Sequence, residues 1–147
     1  MPDRAQYEVS TDLKRLDIAM IHEFLRTSYW AQGIQRAVVE RAIKHSLCFG
    51  AFHSGRQVGF ARVVTDFATI AYVADLFVLT EHRGRGVAKL IMRDILAHPD
   101  LQGLRRLLLA TKDAHSLYAK FGFRALAHPE DFMTIHHPEV YRRGAIP

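Results

Sequence analysis

Residues 70–86 constrain the chain more tightly than any other stretch. From Ile70 to Leu79 every residue is apolar except Asp75, and the run leads into Glu81-His82-Arg83-Gly84-Arg85-Gly86. So long an apolar run, bounded by turn residues, is the pattern of a central strand covered on both faces. Beyond the glycines the period becomes helical: Val87, Ala88, Ile91, Met92 and Ile95 fall within ~140° of one another on a wheel, while Lys89 and Arg93 point away. A covered strand that turns at glycine into an amphipathic helix requires a sheet with helices packed on it.

The flanking segments supply the other layers. Tyr7-Glu8-Val9 reads as a short strand, with Ser10, Thr11 and Asp12 as a turn or cap. Asp17 is placed to cap a helix carrying Ile18, Ile21, Phe24 and Leu25, and Tyr29-Trp30-Ala31-Gln32-Gly33 separates it from a second helix bearing Ile34, Val38 and Ala42. Residues 47–53 and 57–65 form a hairpin about Ser54-Gly55. Residues 104–110 are a further strand, and Asp113 is placed to cap a helix bearing Ala114, Leu117, Tyr118 and Phe121 that Gly122 ends. Residues 123–126 and 132–135 are two last strand candidates. With 147 residues and neither repeat nor linker, residues 1–147 read as a single domain.

Composition narrows the class. No apolar run reaches the ~18 residues of a membrane helix, and the N-terminus carries no leader pattern, so no membrane association is expected and the cytoplasm is the default. The single Cys48 agrees with a reducing compartment and reads as a small buried apolar residue. Net charge is +5, which by itself invites nucleic acid as a partner. Residues 83–124, however, hold nine basic and three acidic residues, net +6, and the remainder is net −1. The positive charge belongs to one segment.

That segment contains the Arg/Gly turn. A helix start offers unpaired backbone N–H groups and partial positive charge, and glycine lets an anion approach the backbone, so residues 83–88 suit a pyrophosphate. The Lys-Ser/Thr of a P-loop and the full spacing of a dinucleotide-binding turn are both absent. The turn resembles the acyl-CoA loop of the GNAT acetyltransferase superfamily, Gln/Arg-x-x-Gly-x-Gly/Ala, at Arg83, Gly86 and Ala88, with Gly84 and Arg85 between. Ala74-Asp75-Leu76-Phe77-Val78 is similar to the family's fourth strand, and Tyr118, Gly122 and Phe123 match the Tyr-x-x-x-Gly-Phe ending of its last helix.

The resemblance implies a mixed, mostly antiparallel α/β (α+β) sheet of six or seven strands with about four helices, and a splayed parallel strand pair at the cofactor site. It implies acetyl-CoA as acyl donor, with pantetheine on the backbone of Leu76, Phe77 and Val78 and pyrophosphate on the N–H groups of Arg83, Gly84, Arg85, Gly86, Val87 and Ala88. Arg83, Arg85 and Lys89 are all candidates to screen phosphate charge. The acceptor would be a primary amine, on a small molecule or a protein, attacking directly in a ternary complex. Tyr118 matches the family's general acid for the departing thiolate, and a backbone N–H near Phe77 or Val78 would stabilise the oxyanion.

Asp75 has three roles open to it. An ionised carboxylate inside an apolar strand is costly unless paired or facing a wet cleft, so it is the general base, an ion-pair partner of Arg62, or an anchor for the acceptor amine. Tyr29 and Trp30 lie where the family builds its acceptor site, and either line a pocket or pack their loop on the sheet. His115 reads as exposed. Adjacent His136 and His137 cannot chelate one ion from a strand, so no metal is expected. A nucleic-acid-binding stripe along Arg83, Arg85, Lys89, Arg93, Arg105 and Arg106 is the rival from another class, but these charges alternate with core-forming residues and no nucleic acid is expected. An acyl-CoA sensor without activity is a third reading, against which Tyr118 argues. A homodimer is compatible with the family, although no surface in the sequence marks an interface.

Overall fold

The computed structural model describes residues 6–142. The apolar run becomes β4 (Ile70–Val78). Before it come β1 (Tyr7–Ser10), β2 (Leu47–His53) and β3 (Arg56–Thr65), and after it β5 (Arg106–Leu109). The five lie in sequence order in one sheet, antiparallel from β1 to β4 and parallel between β4 and β5. Ser54 and Gly55 both take positive φ, 51° and 79°, which folds β3 back on β2 as the Ser-Gly turn requires.

Helices α1 (Ile18–Arg26) and α2 (Arg36–Lys44) cover one face of the sheet, and α3 (Val87–Ala97) covers the other. Asp17 does cap α1, its Oδ1 accepting from the Met20 N–H at 3.0 Å. Ile21, Leu25, Val39 and Ile43 pack with Cys48, Phe60 and Phe77, while Ile91, Met92 and Ile95 pack with Phe49, Ala61, Val63 and Val73. At Gly59 a Cβ would lie 3.2 Å from the Ile91 side chain, so the missing side chain lets α3 approach the sheet. The short helix α4 (His115–Ala119) brings Tyr118 onto the same layer as α3.

Three expectations change. Among the described residues the sheet has five strands, not six or seven: residues 123–126 and 132–135 form none. Their side chains are taken up singly instead. Phe123 stacks edge-on against Tyr118 at 6.0 Å, Phe132 lies under the Arg106 guanidinium at 5.0 Å, and Met133 and Ile135 stand in solvent. The backbone of Ala114, not a residue capped by Asp113, opens α4, and the hydroxyl of Thr111 accepts the Ala114 N–H at 3.1 Å. Finally, β4 is covered on both faces only at Phe77 and Val78, because Ile70 and Tyr72 are exposed while Ala71 and Val73 are buried. No helix among the described residues is long and apolar enough to cross a membrane.

Cys48 is 1% exposed, and burial pushes its thiol up to about 12. The folded protein should therefore give no reaction with a thiol reagent at pH 8, and the full signal on unfolding. Labelling of the native state at the rate of a free thiol would contradict this packing.

Candidate active site

The site begins with one extra residue in β4. Phe60 lies opposite Phe77 and Arg62 opposite Ala74, so Asp75 and Leu76 together stand against Ala61 alone. This is a β-bulge, and Asp75 takes the left-handed φ of 58° that it requires. An aspartate adopts that conformation more readily than a branched residue, though it still needs support. Arg62 Nε donates to Asp75 Oδ2 at 2.8 Å and Trp30 Nε1 donates to Oδ1 at 2.9 Å. The guanidinium also donates to Ser46 Oγ at 3.2 Å, and Ser46 donates to the Ala42 carbonyl at 2.6 Å. A single polar chain thus joins the α1–α2 loop, β4, β3 and the end of α2.

Past the bulge the parallel pair opens. β5 pairs with β4 from Ile70–Arg106 to Val73–Leu109, so among the described residues the edge of residues 74–78 facing β5 has no strand partner. Backbone polar groups on such an edge must find a ligand or water. The strand then runs through the Arg/Gly turn, with φ of 77° at Gly84 and 81° at Gly86. Gly86 is the N-cap of α3 and supplies no side-chain acceptor, and the first intrahelical bond is Leu90 N–H to the Gly86 carbonyl at 3.0 Å. The N–H groups of Val87, Ala88 and Lys89 therefore precede the helical ladder and carry its positive pole. Arg83 Nε donates to the Val78 carbonyl at 3.0 Å, which ties the turn back onto β4.

These elements enclose a cleft of about 1270 Å³. That exceeds the roughly 300–1,000 Å³ of a pocket for one small ligand and leaves room for two. Asp75, Leu76, Phe77, Val78, Arg83, Gly84, Gly86, Val87, Ala88, Tyr118, Tyr29 and Trp30 all line it. Arg85 does not: its Nη1 turns away to 3.5 Å from the Tyr7 hydroxyl, which in turn lies 2.9 Å from His82 Nδ1. His115 is exposed outside the cleft. The Tyr118 hydroxyl has no hydrogen-bond partner among the described residues, and burial, aided by Tyr29 and Asp113, raises its pKa above the ordinary phenol range. The phenol accordingly stays protonated through neutral and moderately alkaline pH.

The aromatic wall is continuous. Phe60 and Phe77 lie 5.9 Å apart, Phe24 stacks on Phe77 at 3.9 Å, Trp30 follows at 6.3 Å, and Tyr29 meets Trp30 edge-on at 5.1 Å. Lys112 Nζ stands 5.5 Å above the Tyr29 ring. Lys112, His136, Tyr141 and Arg142 also line the cleft and were not legible as site residues. The one sequence signal for the C-terminal contribution is Gly33, where a Cβ would meet the Tyr141 carbonyl at 3.1 Å. Among the described residues, no three His, Cys, Asp or Glu side chains gather in a way that could hold a metal ion.

The model of the GNAT acetyltransferase domain matches residues 44–125. A crystal structure from Xanthomonas campestris pv. campestris, assigned as an acetyltransferase of the GNAT family, is 55% identical, covering 92% of this chain and 96% of that one at a TM-score of 0.90. A curated relative from Gibberella zeae, assigned as an acetyltransferase, is 29% identical over 140 residues, 80% of this chain and 78% of the relative. A structure from Deinococcus radiodurans R1 shares the fold at a TM-score of 0.74 and 21% identity, covering 100% of this chain and 99% of that one.

Trp30 is the only tryptophan, so its emission reports directly on the Asp75 contact. Asp75→Ala should shift that emission to longer wavelength and cost roughly 2–3 kcal/mol in urea unfolding, because it strands Arg62 in a largely buried position. Unchanged emission and midpoint would show that the Trp30–Asp75–Arg62 chain does not hold the loop.

Proposed function

The chain belongs to the GNAT acetyltransferase family, and on that premise we propose that it moves an acetyl group from acetyl-CoA to the primary amine of a second substrate, both bound at once. The observation that carries this reading is the unpaired edge of residues 74–78 leading directly to the uncapped start of α3, with the Tyr118 hydroxyl in the same cleft. The edge suits the amides of a pantetheine arm. The N–H groups of Val87, Ala88 and Lys89 suit a pyrophosphate, with the side chains of Arg83 and Lys89 near enough in the cleft to balance its charge. Arg85, turned toward Tyr7, has a supporting role beneath the turn.

In the reaction the acceptor's nitrogen lone pair attacks the thioester carbonyl. The C–N bond forms and the C–S bond breaks, with the developing oxyanion held by a backbone N–H near Phe77 or Val78. The departing thiolate takes its proton from Tyr118, and the proton lost by the amine leaves through water. Burial keeps the phenol protonated and so keeps a proton available, and the same desolvation raises the proton affinity of the departing thiolate, which drives the transfer once the C–S bond has broken. Asp75 is read as the residue that orders the acceptor side, because both of its oxygens already carry donors from Arg62 and Trp30. A free and buried Cys48 is in keeping with a cytoplasmic location.

Acetyl-CoA should raise the melting temperature, and an amine panel should release CoA thiol. Stabilisation by no acyl-CoA would refute the donor assignment. Tyr118→Phe should lower kcat by about 10²-fold or more while leaving acetyl-CoA affinity unchanged. In the wild type the rate should fall on the alkaline side only above about pH 10, as the raised phenol finally ionises, and this limb should vanish in Tyr118→Phe. A variant with wild-type turnover would remove Tyr118 from the chemistry.

A further inference from the structure

The acceptor half of the cleft has a chemistry of its own, and the inference drawn from it rests on the acetyl-transfer reading above. Among the described residues, two carboxylates line the cleft, Asp75 and Asp113. Asp75 is occupied by Arg62 and Trp30, and Asp113 sits at the start of α4 beside Tyr118. A polyamine or a polyamino sugar brings several ammonium groups, each of which needs an anionic or carbonyl partner once removed from water. Among the described residues, Asp113 is the one cleft carboxylate outside an ion pair, too few for several ammonium groups at once.

The cationic side is better provided. Lys112 makes no ion pair among the described residues and stands over the face of Tyr29. Its position also decides how the aromatic rings are used. With one ammonium already over the Tyr29 ring, a second cation there would be repelled, so Tyr29 and Trp30 are an apolar wall and not a cation cage. Tyr29 and Trp30 are 55% and 41% exposed, and their rings meet edge-on in the lining of the cleft. A flat apolar body laid against them gains contact area without reordering either ring.

We infer that the acceptor is a single-amine molecule with an aromatic body and a carboxylate, of which an aromatic amino acid is the simplest form. Tyr29 and Trp30 take the ring, Lys112 takes the carboxylate, and the one amine faces the thioester. This assigns Lys112 and Tyr29 as specificity-determining residues, neither of them part of the acyl-donor site.

The experiment compares L-phenylalanine, phenethylamine, L-alanine and spermidine at saturating acetyl-CoA, reading thiol release and Trp30 fluorescence. L-Phenylalanine should exceed phenethylamine and alanine in kcat/KM by about tenfold each, and spermidine by more. Lys112→Ala should bring phenylalanine down to phenethylamine, and Tyr29→Ala should narrow the gap between phenylalanine and alanine. Saturable change in Trp30 emission by phenylalanine, absent with spermidine, gives the same ranking without turnover. Spermidine equal to or better than phenylalanine, or a phenylalanine-to-phenethylamine ratio unmoved by Lys112→Ala, would overturn the inference. So would thiol release with none of the four while acetyl-CoA still stabilises the fold, an outcome that leaves the donor reading standing. Failure of acetyl-CoA to bind at all would bring down both.

Discussion

The extra residue in β4 is the constraint on which the rest of the molecule depends. A regular strand would keep Ala71, Val73 and residue 77 on one face, yet Val78 joins Ala71 and Val73 against α3 while Phe77 faces α1 and α2. The bulge re-phases the strand, and that is how one continuous apolar run serves two different layers. It has a local cost, since a non-glycine residue at φ of 58° is disfavoured by roughly 1–2 kcal/mol. Two hydrogen bonds to the Asp75 carboxyl group, one from the Arg62 guanidinium and one from the Trp30 indole, offset that cost and fix the α1–α2 loop in the same stroke.

The same irregularity opens the cleft. A parallel pair continuing past Val73–Leu109 would satisfy the edge of residues 74–78 and leave a closed sheet with no seat for a ligand. Bending β4 at Asp75 diverts it from β5 before the pairing is complete, so unsatisfied backbone groups and the bare start of α3 arrive on one side of the molecule. A side chain on Gly86 would have to take φ of 81°, and a capping side chain there would occupy the N–H groups proposed to hold the pyrophosphate.

Legibility in the sequence followed the range of the interaction. The Asp17 cap, the Ser54-Gly55 turn, the apolar stripe of α3 and the Gly122 stop, at φ of 95°, depend on residues within a few positions and were all readable. The last two strand candidates were not, because Phe123 and Phe132 have the right composition but find Tyr118 and Arg106 as partners before any strand edge. Asp113 looked like a helix cap on local grounds, and Thr111 reaches the Ala114 N–H instead. The bulge left a single trace, one carboxylate in an apolar run, and its meaning depended on Arg62 and Trp30, thirteen and forty-five residues away. Tyr141 and Arg142 reach the cleft by packing over Gly33, a contact more than a hundred residues apart in the chain.

Charge is where reading and structure reinforce each other most directly. Of the nine basic residues in 83–124, Arg83, Lys89 and Lys112 line the cleft, Arg85 and Arg106 are engaged with Tyr7 and Phe132, and Arg93, Arg105, Lys120 and Arg124 are exposed outside it. A polyanion lying across the surface would meet only part of this charge. Within the cleft the cations fall at two ends, Arg83 and Lys89 by the start of α3 and Lys112 by the aromatic wall, with the Arg62–Asp75 pair between them contributing no net charge. On the proposed reading an acceptor amine therefore meets an excess of positive charge, which Asp113 beside Tyr118 reduces but does not cancel. That field favours the uncharged amine over its ammonium form, and only the uncharged form has the lone pair the reaction needs.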